Sequence, residues 1–164
     1  MPTSAYLSLG SNIGDRAANL REAIRRLATL GAVAAVSSFY ETEPVEFTAQ
    51  EWFLNCAVTL ETEKTSLELM ASILEIEHSM GRRRVQNKGP RKIDIDILLF
   101  GDSIADTANL TIPHPAMHER RFVLEPLAEI APNAQHPILH KTAKGLLEAL
   151  PPGQAVRKIN TNNA

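Results

Sequence analysis

The chain has 164 residues, enough for one domain that buries a sizeable core without disulfides or a structural metal. Cys56 is its only cysteine, which excludes an intramolecular disulfide framework and a thiolate zinc cage and favours a reducing compartment. Seventeen Lys and Arg against nineteen Asp and Glu leave a net charge of −2, so no overall field draws the protein to nucleic acid or to an anionic membrane.

Ala5, Leu7 and Leu9 alternate with Tyr6 and Ser8, the pattern of a half-buried strand. The turn GSNIGD (Gly10 to Asp15) hands over to a helix with Leu20, Ile24, Leu27 and Leu30 on one stripe, expected to stop at a left-handed Gly31. Val33 to Tyr40 reads as a second strand, and Glu41 to Trp52 as a long polar connection. Phe53 to Leu60 is the third strand, with Leu54, Cys56, Val58 and Leu60 toward the core and Phe53, Asn55, Ala57 and Thr59 on the other face. Thr65 and Glu68 form a capping box, opening a helix with an apolar stripe at Leu69, Ile73, Ile76 and Met80 that ends at Gly81. In the fourth strand, Ile93 to Phe100, Ile93, Ile95, Ile97 and Leu99 are expected on one face and Asp94 and Asp96 on the other. An extended piece then ends at Thr111 to Pro115, followed by helices at Phe122 to Ala131 and Thr142 to Leu150, an edge strand in AVRKI and a frayed tail at about 160–164. The core order β-α-β-β-α-β is that of the split, ferredoxin-like unit. The whole chain, 1–164, reads as a single domain. The amino terminus has no basic n-region, and no apolar run approaches a membrane span; the expectation is a cytoplasmic protein without membrane or nucleic-acid partners.

The chemistry concentrates around GPRKIDIDILLF. Two aspartates two apart on a strand share a face, and their repulsion is most easily relieved by a cation; Mg²⁺ takes one or two protein carboxylates and fills its shell with water and phosphate oxygens. Six of the seventeen basic residues lie between Arg82 and Lys92, and Arg82, Arg84 and Arg91 are polyphosphate ligands by their chemistry. Read singly, the acidic pair fits a solvated strand face and the basic run a solvated turn; together they imply a metal-polyphosphate site. No Walker A sequence occurs. On the third strand, Phe53 beside Asn55 fits a flat heterocycle with mixed donors and acceptors on its edge, although the strand alone favours core packing for Phe53 and a nearby backbone partner for Asn55. His114 and His118 are nucleotide contacts or ordinary loop histidines, and Cys56 is a packing residue.

In that order the segments YLSLGSNIGDR, SSFYETEPV, FLNCAVTLET, LEIEHSMGRRR, GPRKIDIDILLF and IPHPAMHERRFVLEPLAEIAP make the chain resemble the 6-hydroxymethyl-7,8-dihydropterin pyrophosphokinases of folate biosynthesis. The resemblance implies a three-layer α/β/α sandwich on a ferredoxin-like core with a mainly antiparallel sheet. It also implies an enzyme that transfers diphosphate from ATP to the pterin hydroxymethyl group and releases AMP. By that likeness Asp94 and Asp96 are ligands of two Mg²⁺ ions, Arg82 and Arg91 clamp the phosphates and Arg84 assists them. Glu77, Ile97, Thr111, His114 and Arg120 match ATP-contacting positions; Thr42, Val45, Phe53, Asn55 and Phe122 match the pterin pocket. Asn87, Lys88, Glu46 and Pro115 depart from the family pattern, away from the metal pair. The enzyme is expected to act as a monomer. Two other classes share parts of this pattern. A ferredoxin-like nucleic-acid-binding module would need exposed aromatics in RNP-type runs, which the chain lacks; a two-metal nucleotidyl transferase would use Asp94 and Asp96 but not Phe53, Asn55 and Phe122.

Overall fold

The computed structural model describes residues 1–43, 52–81, 92–153 and 155–159. Strand β1 (Thr3–Ser11) leads into helix α1 (Arg16–Leu27) through a turn in which Gly14 is left-handed, at φ 70°. The Asp15 side chain caps the helix by accepting from Ala18 N–H. The expected second strand is two. Strands β2 (Ala32–Val36) and β3 (Tyr40–Thr42) lie end to end beside β4 (Phe53–Thr62), and the break has a local cause. At Ser37 the side-chain Oγ takes the Ala57 N–H at 2.8 Å while Ser37 N–H donates to Ala57 O at 2.9 Å, so a hydroxyl replaces a ladder carbonyl and the strand cannot continue straight.

Helix α2 (Ser66–Ser79) connects β4 to β5 (Asp94–Phe100). Both bonds of its capping box form, and Gly81, at φ 92°, supplies the left-handed residue just past its end. The chain continues through β6 (Ala105–Asp106), β7 (Thr111–Ile112), a 3-10 turn at Met117–Glu119, α3 (Arg121–Ile130), α4 (Ala143–Glu148) and β8 (Val156–Lys158). The main sheet runs β5-β1-β4-β3-β8, with β2 also on β4, and all its pairings are antiparallel. This is the ferredoxin-like arrangement, with β8 added at one edge.

The sheet has a core on each face. Toward α1 and α2, Leu7, Leu9, Leu54, Cys56, Val58 and Leu60 pack against Leu20, Leu27, Leu69 and Ile73. Toward α3 and α4, Ala57, Leu98 and Leu99 pack against Val123, Leu124, Leu127 and Leu146, completing the α/β/α sandwich. Cys56 is fully buried and its thiol is pushed up to about 12 by burial, as a packing residue requires.

Two further expectations are corrected. Leu99 does not join Ile95 and Ile97: the register slips between Tyr6 and Leu7, so β5 carries an extra residue and Leu99 turns to the α3 face. Gly31 is not a left-handed cap, since α1 ends at Leu27 with Ala28 at its C-cap. What Gly31 provides is room, because a Cβ there would stand 2.2 Å from the Glu61 carbonyl oxygen. The predicted tail at 160–164 lies outside the described residues.

Candidate active site

Register places the chemistry. Gly10 in β1 stands between Asp94 of β5 and Asn55 of β4, and Ser8 stands between Asp96 and Ala57. Residues in register across a sheet share a face, so Asp94, Asp96, Gly10 and Asn55 all lie on the side covered by α3 and α4. That cover is complete over Ala57, Leu98 and Leu99; Asp94 and Asp96 remain half-exposed. Two strand spacings of about 4.8 Å put Asp94 and Asn55 roughly 10 Å apart at the backbone.

On the β4 side, Asn55 is buried and oriented. Thr42 Oγ1 donates to its Oδ1 at 2.7 Å, and its Nδ2 makes a long 3.4 Å contact with Leu9 O. Thr42 is in register with Phe53, which is half-buried at the start of β4. Gly10 leaves the space that Asn55 occupies: a Cβ there would sit 2.7 Å from Asn55 Nδ2 and 3.5 Å from the Phe53 ring. The glycine expected to serve a strand-to-helix turn is therefore extended backbone inside β1, and the turn glycine is Gly14.

On the β5 side, Glu77 of α2 is buried and accepts the Ile95 N–H through Oε2 at 2.8 Å. It pins the edge strand at the residue between the two aspartates. Ile97 points its side chain into the α1–α2 core, so only its backbone can serve a ligand. His114 docks by donating its N–H to Leu98 O at 3.0 Å, while its Nδ1 accepts the Ala116 N–H at 3.2 Å. A ring whose Nδ1 accepts a hydrogen bond carries its proton on Nε2 when neutral, which makes Nε2 a donor. Burial, and then the Arg120 charge, push its pKa below the usual histidine value, while Asp94 pulls the other way. His114 thus lies in the fields of Asp94 and Arg120. The Arg120 guanidinium carbon is 5.6 Å from the centre of the Phe122 ring, and Phe122 packs at the margin of the core that includes Ala57.

The structure thus sets Asp94 and Asp96 on one side of Gly10, with His114 in the fields of Asp94 and Arg120, and Thr42, Phe53 and Asn55 on the other; Phe122, near the start of α3, packs at the margin of the core that includes Ala57. Thr111 is exposed in the small β6–β7 ribbon. Arg82, Arg84, Arg91 and Val45 lie outside the described residues, as do Glu46, Asn87 and Lys88. Gly10 is the member that sequence reasoning missed, although continuing the Tyr6, Ser8 alternation by one step would have placed it on this face.

Two carboxylates on one strand are a fitting donor set for Mg²⁺, which needs few protein ligands. Among the described residues no group of three or more His, Cys, Asp or Glu could hold a metal ion. The arrangement sets two carboxylates, of a kind that could hold a hydrated hard cation, roughly 10 Å at the backbone from a buried amide beside an aromatic ring.

The chain matches the family described as 7,8-dihydro-6-hydroxymethylpterin-pyrophosphokinase over residues 6–132. It belongs to that family. It is 48% identical to the 2-amino-4-hydroxy-6-hydroxymethyldihydropteridine pyrophosphokinase of Bacillus subtilis, over 79% of each chain. It is 47% identical to the protein of that name from Methylorubrum extorquens, over 80% of this chain and 84% of that one. Against the folic acid synthesis protein FOL1 of Dictyostelium discoideum it is 41% identical over 94% of its own length but spans only 23% of that protein. Among solved structures, the wild-type HPPK-DHPS of Plasmodium falciparum with pteroate has the same fold, at a TM-score of 0.73 and 19% identity; 90% of this chain covers 42% of that one.

Proposed function

We infer that this family member is a pyrophosphokinase that transfers the diphosphate of ATP to the hydroxymethyl group of 6-hydroxymethyl-7,8-dihydropterin. The pterin hydroxyl oxygen attacks the β-phosphorus, the bond to the α,β-bridging oxygen breaks, AMP departs with that oxygen, and the hydroxyl proton passes to solvent. The observation that carries the reading is the row Asp94, Gly10, Asn55. It sets the Asp94 carboxylate and the buried Asn55 amide on one face of the sheet, at a separation that suits a bicyclic ring and a one-carbon arm.

In this reading the buried Asn55 amide, fixed by Thr42, reads the pterin edge between Phe53 and Phe122, and Val45 belongs to the same pocket. Asp94 and Asp96 hold Mg²⁺, which when bound offsets the charge of the phosphates and of the attacking oxygen. His114 and Arg120 contact the nucleotide, His114 as a neutral Nε2 donor, with Glu77, Ile97 and Thr111 completing the ATP side. Arg82, Arg84 and Arg91 belong to the phosphate clamp by the family likeness. Transfer of this kind rests on alignment and charge stabilisation, for which carboxylates and arginines suffice without a strong dedicated base. The reading treats residues 1–164 as one domain, working as a cytoplasmic monomer; the net charge and the lone buried cysteine are in keeping with it.

Incubation with MgATP and the hydroxymethyl dihydropterin should yield AMP in step with pterin diphosphate, and no ADP. In Asp96→Asn the circular dichroism should be unchanged while turnover falls at least about 100-fold, the scale of losing one charge-stabilising group. ADP as the nucleotide product, or near-normal Mg²⁺-dependent turnover in Asp96→Asn, would overturn the reading.

A further inference from the structure

The pterin side of the site is braced from beyond the segment that matches the family. Glu41 precedes Thr42 on β3, and its carboxylate is shared by two arginines from opposite ends of the chain. Arg16 donates through Nη2 to Oε2 at 2.8 Å, and Arg157 of β8 donates through Nη2 to Oε1. Each guanidinium also holds Trp52, the residue before β4. Arg16 Nη1 donates to Trp52 O at 2.9 Å, and the Arg157 guanidinium carbon lies 5.7 Å from the centre of the Trp52 ring, within cation–π range. One carboxylate and two guanidiniums therefore tie the start of α1, β3, β8 and the entry to β4 into one unit.

This unit borders the pocket by register. Thr42 pairs with Phe53 on one side and Val156 on the other, and Glu41 pairs with Leu54 and Arg157. Glu43 N–H donates to Ala155 O at 3.2 Å, extending the pairing past Thr42. The Arg157 side chain is 69% exposed, and an ion pair so open to water contributes little to global stability. Its geometry instead restrains Trp52 and, through the next residue, Phe53; a site depends on such restraint because small displacements of a binding group cost much of its affinity.

We propose that Arg157 is a positioning residue for the pterin pocket, acting with Arg16 through Glu41 and Trp52, so that β8, outside residues 6–132, forms part of the support of the substrate site. The proposal rests on the pterin reading of Thr42, Phe53 and Asn55.

The test compares intact-chain Arg157→Ala, Arg157→Lys and Asn55→Ala with the parent protein. Trp52 is the only tryptophan, so its emission reports on the brace directly. Arg157→Ala should raise the KM for the pterin about five- to tenfold while the KM for MgATP, kcat and the melting temperature change little. Its Trp52 emission should move to longer wavelength and become easier to quench with acrylamide. Arg157→Lys, which keeps the charge facing Glu41 and Trp52, should recover most of the pterin affinity. A pterin KM within twofold of the parent in Arg157→Ala, alongside a raised KM in Asn55→Ala, overturns the positioning role and leaves the pocket standing. Parallel loss of pterin and ATP affinity with a lowered melting temperature also overturns it, since that is the mark of a merely structural residue. If Asn55→Ala leaves the pterin KM unchanged, the pocket reading itself falls, whatever Arg157→Ala does.

Discussion

Gly10 does its work by what it lacks. Asp94 and Asn55 flank it in register, and any side chain would intrude on the Asn55 amide at 2.7 Å. The amide is anchored to Thr42 and cannot swing away without leaving a buried hydroxyl and amide unpaired, at a cost of about 1–3 kcal/mol. Gly10→Ala should therefore raise the KM for the pterin by about one to two orders of magnitude and leave that for MgATP within a few-fold, which steady-state kinetics with each substrate varied in turn would reveal. Loss confined to ATP would contradict the placement. The residue scale also shows where sequence was enough. Asp94 and Asp96 declare a shared face through a two-residue period, and Phe53 with Asn55 does the same. Gly10 could not be weighed that way, because its importance lies in two strand partners, and pairing partners are not written in local sequence. The Arg16, Glu41, Arg157 brace was illegible for the same reason: its members are up to 141 residues apart (157 − 16).

At the scale of elements, α2 was legible through its ends and its stripe, whereas α1 stops at Leu27, short of the expected Gly31. The Thr65 and Glu68 capping box forms both of its bonds, and Leu69, Ile73, Ile76 and Met80 are all buried. Thr65→Ala should lower the unfolding free energy by about 1 kcal/mol, the usual loss for such a cap, measurable as a lower denaturant midpoint with an unchanged slope. Because α2 also carries Glu77, which holds Ile95 between the two aspartates, the cap contributes to the stability of an element that supports the site. The strands were less legible. Alternation predicted one strand over Val33 to Tyr40 and one face for Ile93 through Leu99. A serine hydroxyl standing in for a carbonyl broke the first, and an extra residue in β5 turned the end of the second. Both are cross-strand events, and a period of two read along one strand has no access to them. The ties between layers are similar: Tyr40 Oη donates to Glu129 Oε1 at 2.6 Å and Ser38 donates from N and Oγ to Oε2, fastening α3 to the break between β2 and β3.

For the whole molecule, two cores on one sheet leave a pair of histidines neutral in the α3–α4 layer and its approach. His136 is buried, and its Nδ1 accepts the N–H groups of Ile138 at 3.3 Å and Leu139 at 3.1 Å, so a proton on Nδ1 would break both bonds. Burial, followed by the neighbouring His118 and His140, lowers its pKa. His114 is lowered by burial and Arg120. For both groups the unfolded chain, with an ordinary histidine pKa of about 6.5, binds protons more readily than the native state. Stability from them is accordingly present in full above about pH 6.5, declines as pH falls below it, and is lost once pH passes below the depressed native values. The carboxylates paired in the native state, such as Glu41 with Arg157 and Arg16, are held below the usual range. Their contribution is lost only below about pH 4.3, so the two effects occupy separate windows. Denaturant unfolding should thus give a nearly constant midpoint from about pH 8 to 7 and a falling one between about pH 6.5 and 5. His136→Asn, whose Oδ1 can take the place of Nδ1 as acceptor without titrating, should flatten that fall while leaving the lower window intact. An unchanged fall in His136→Asn would remove His136 as its source.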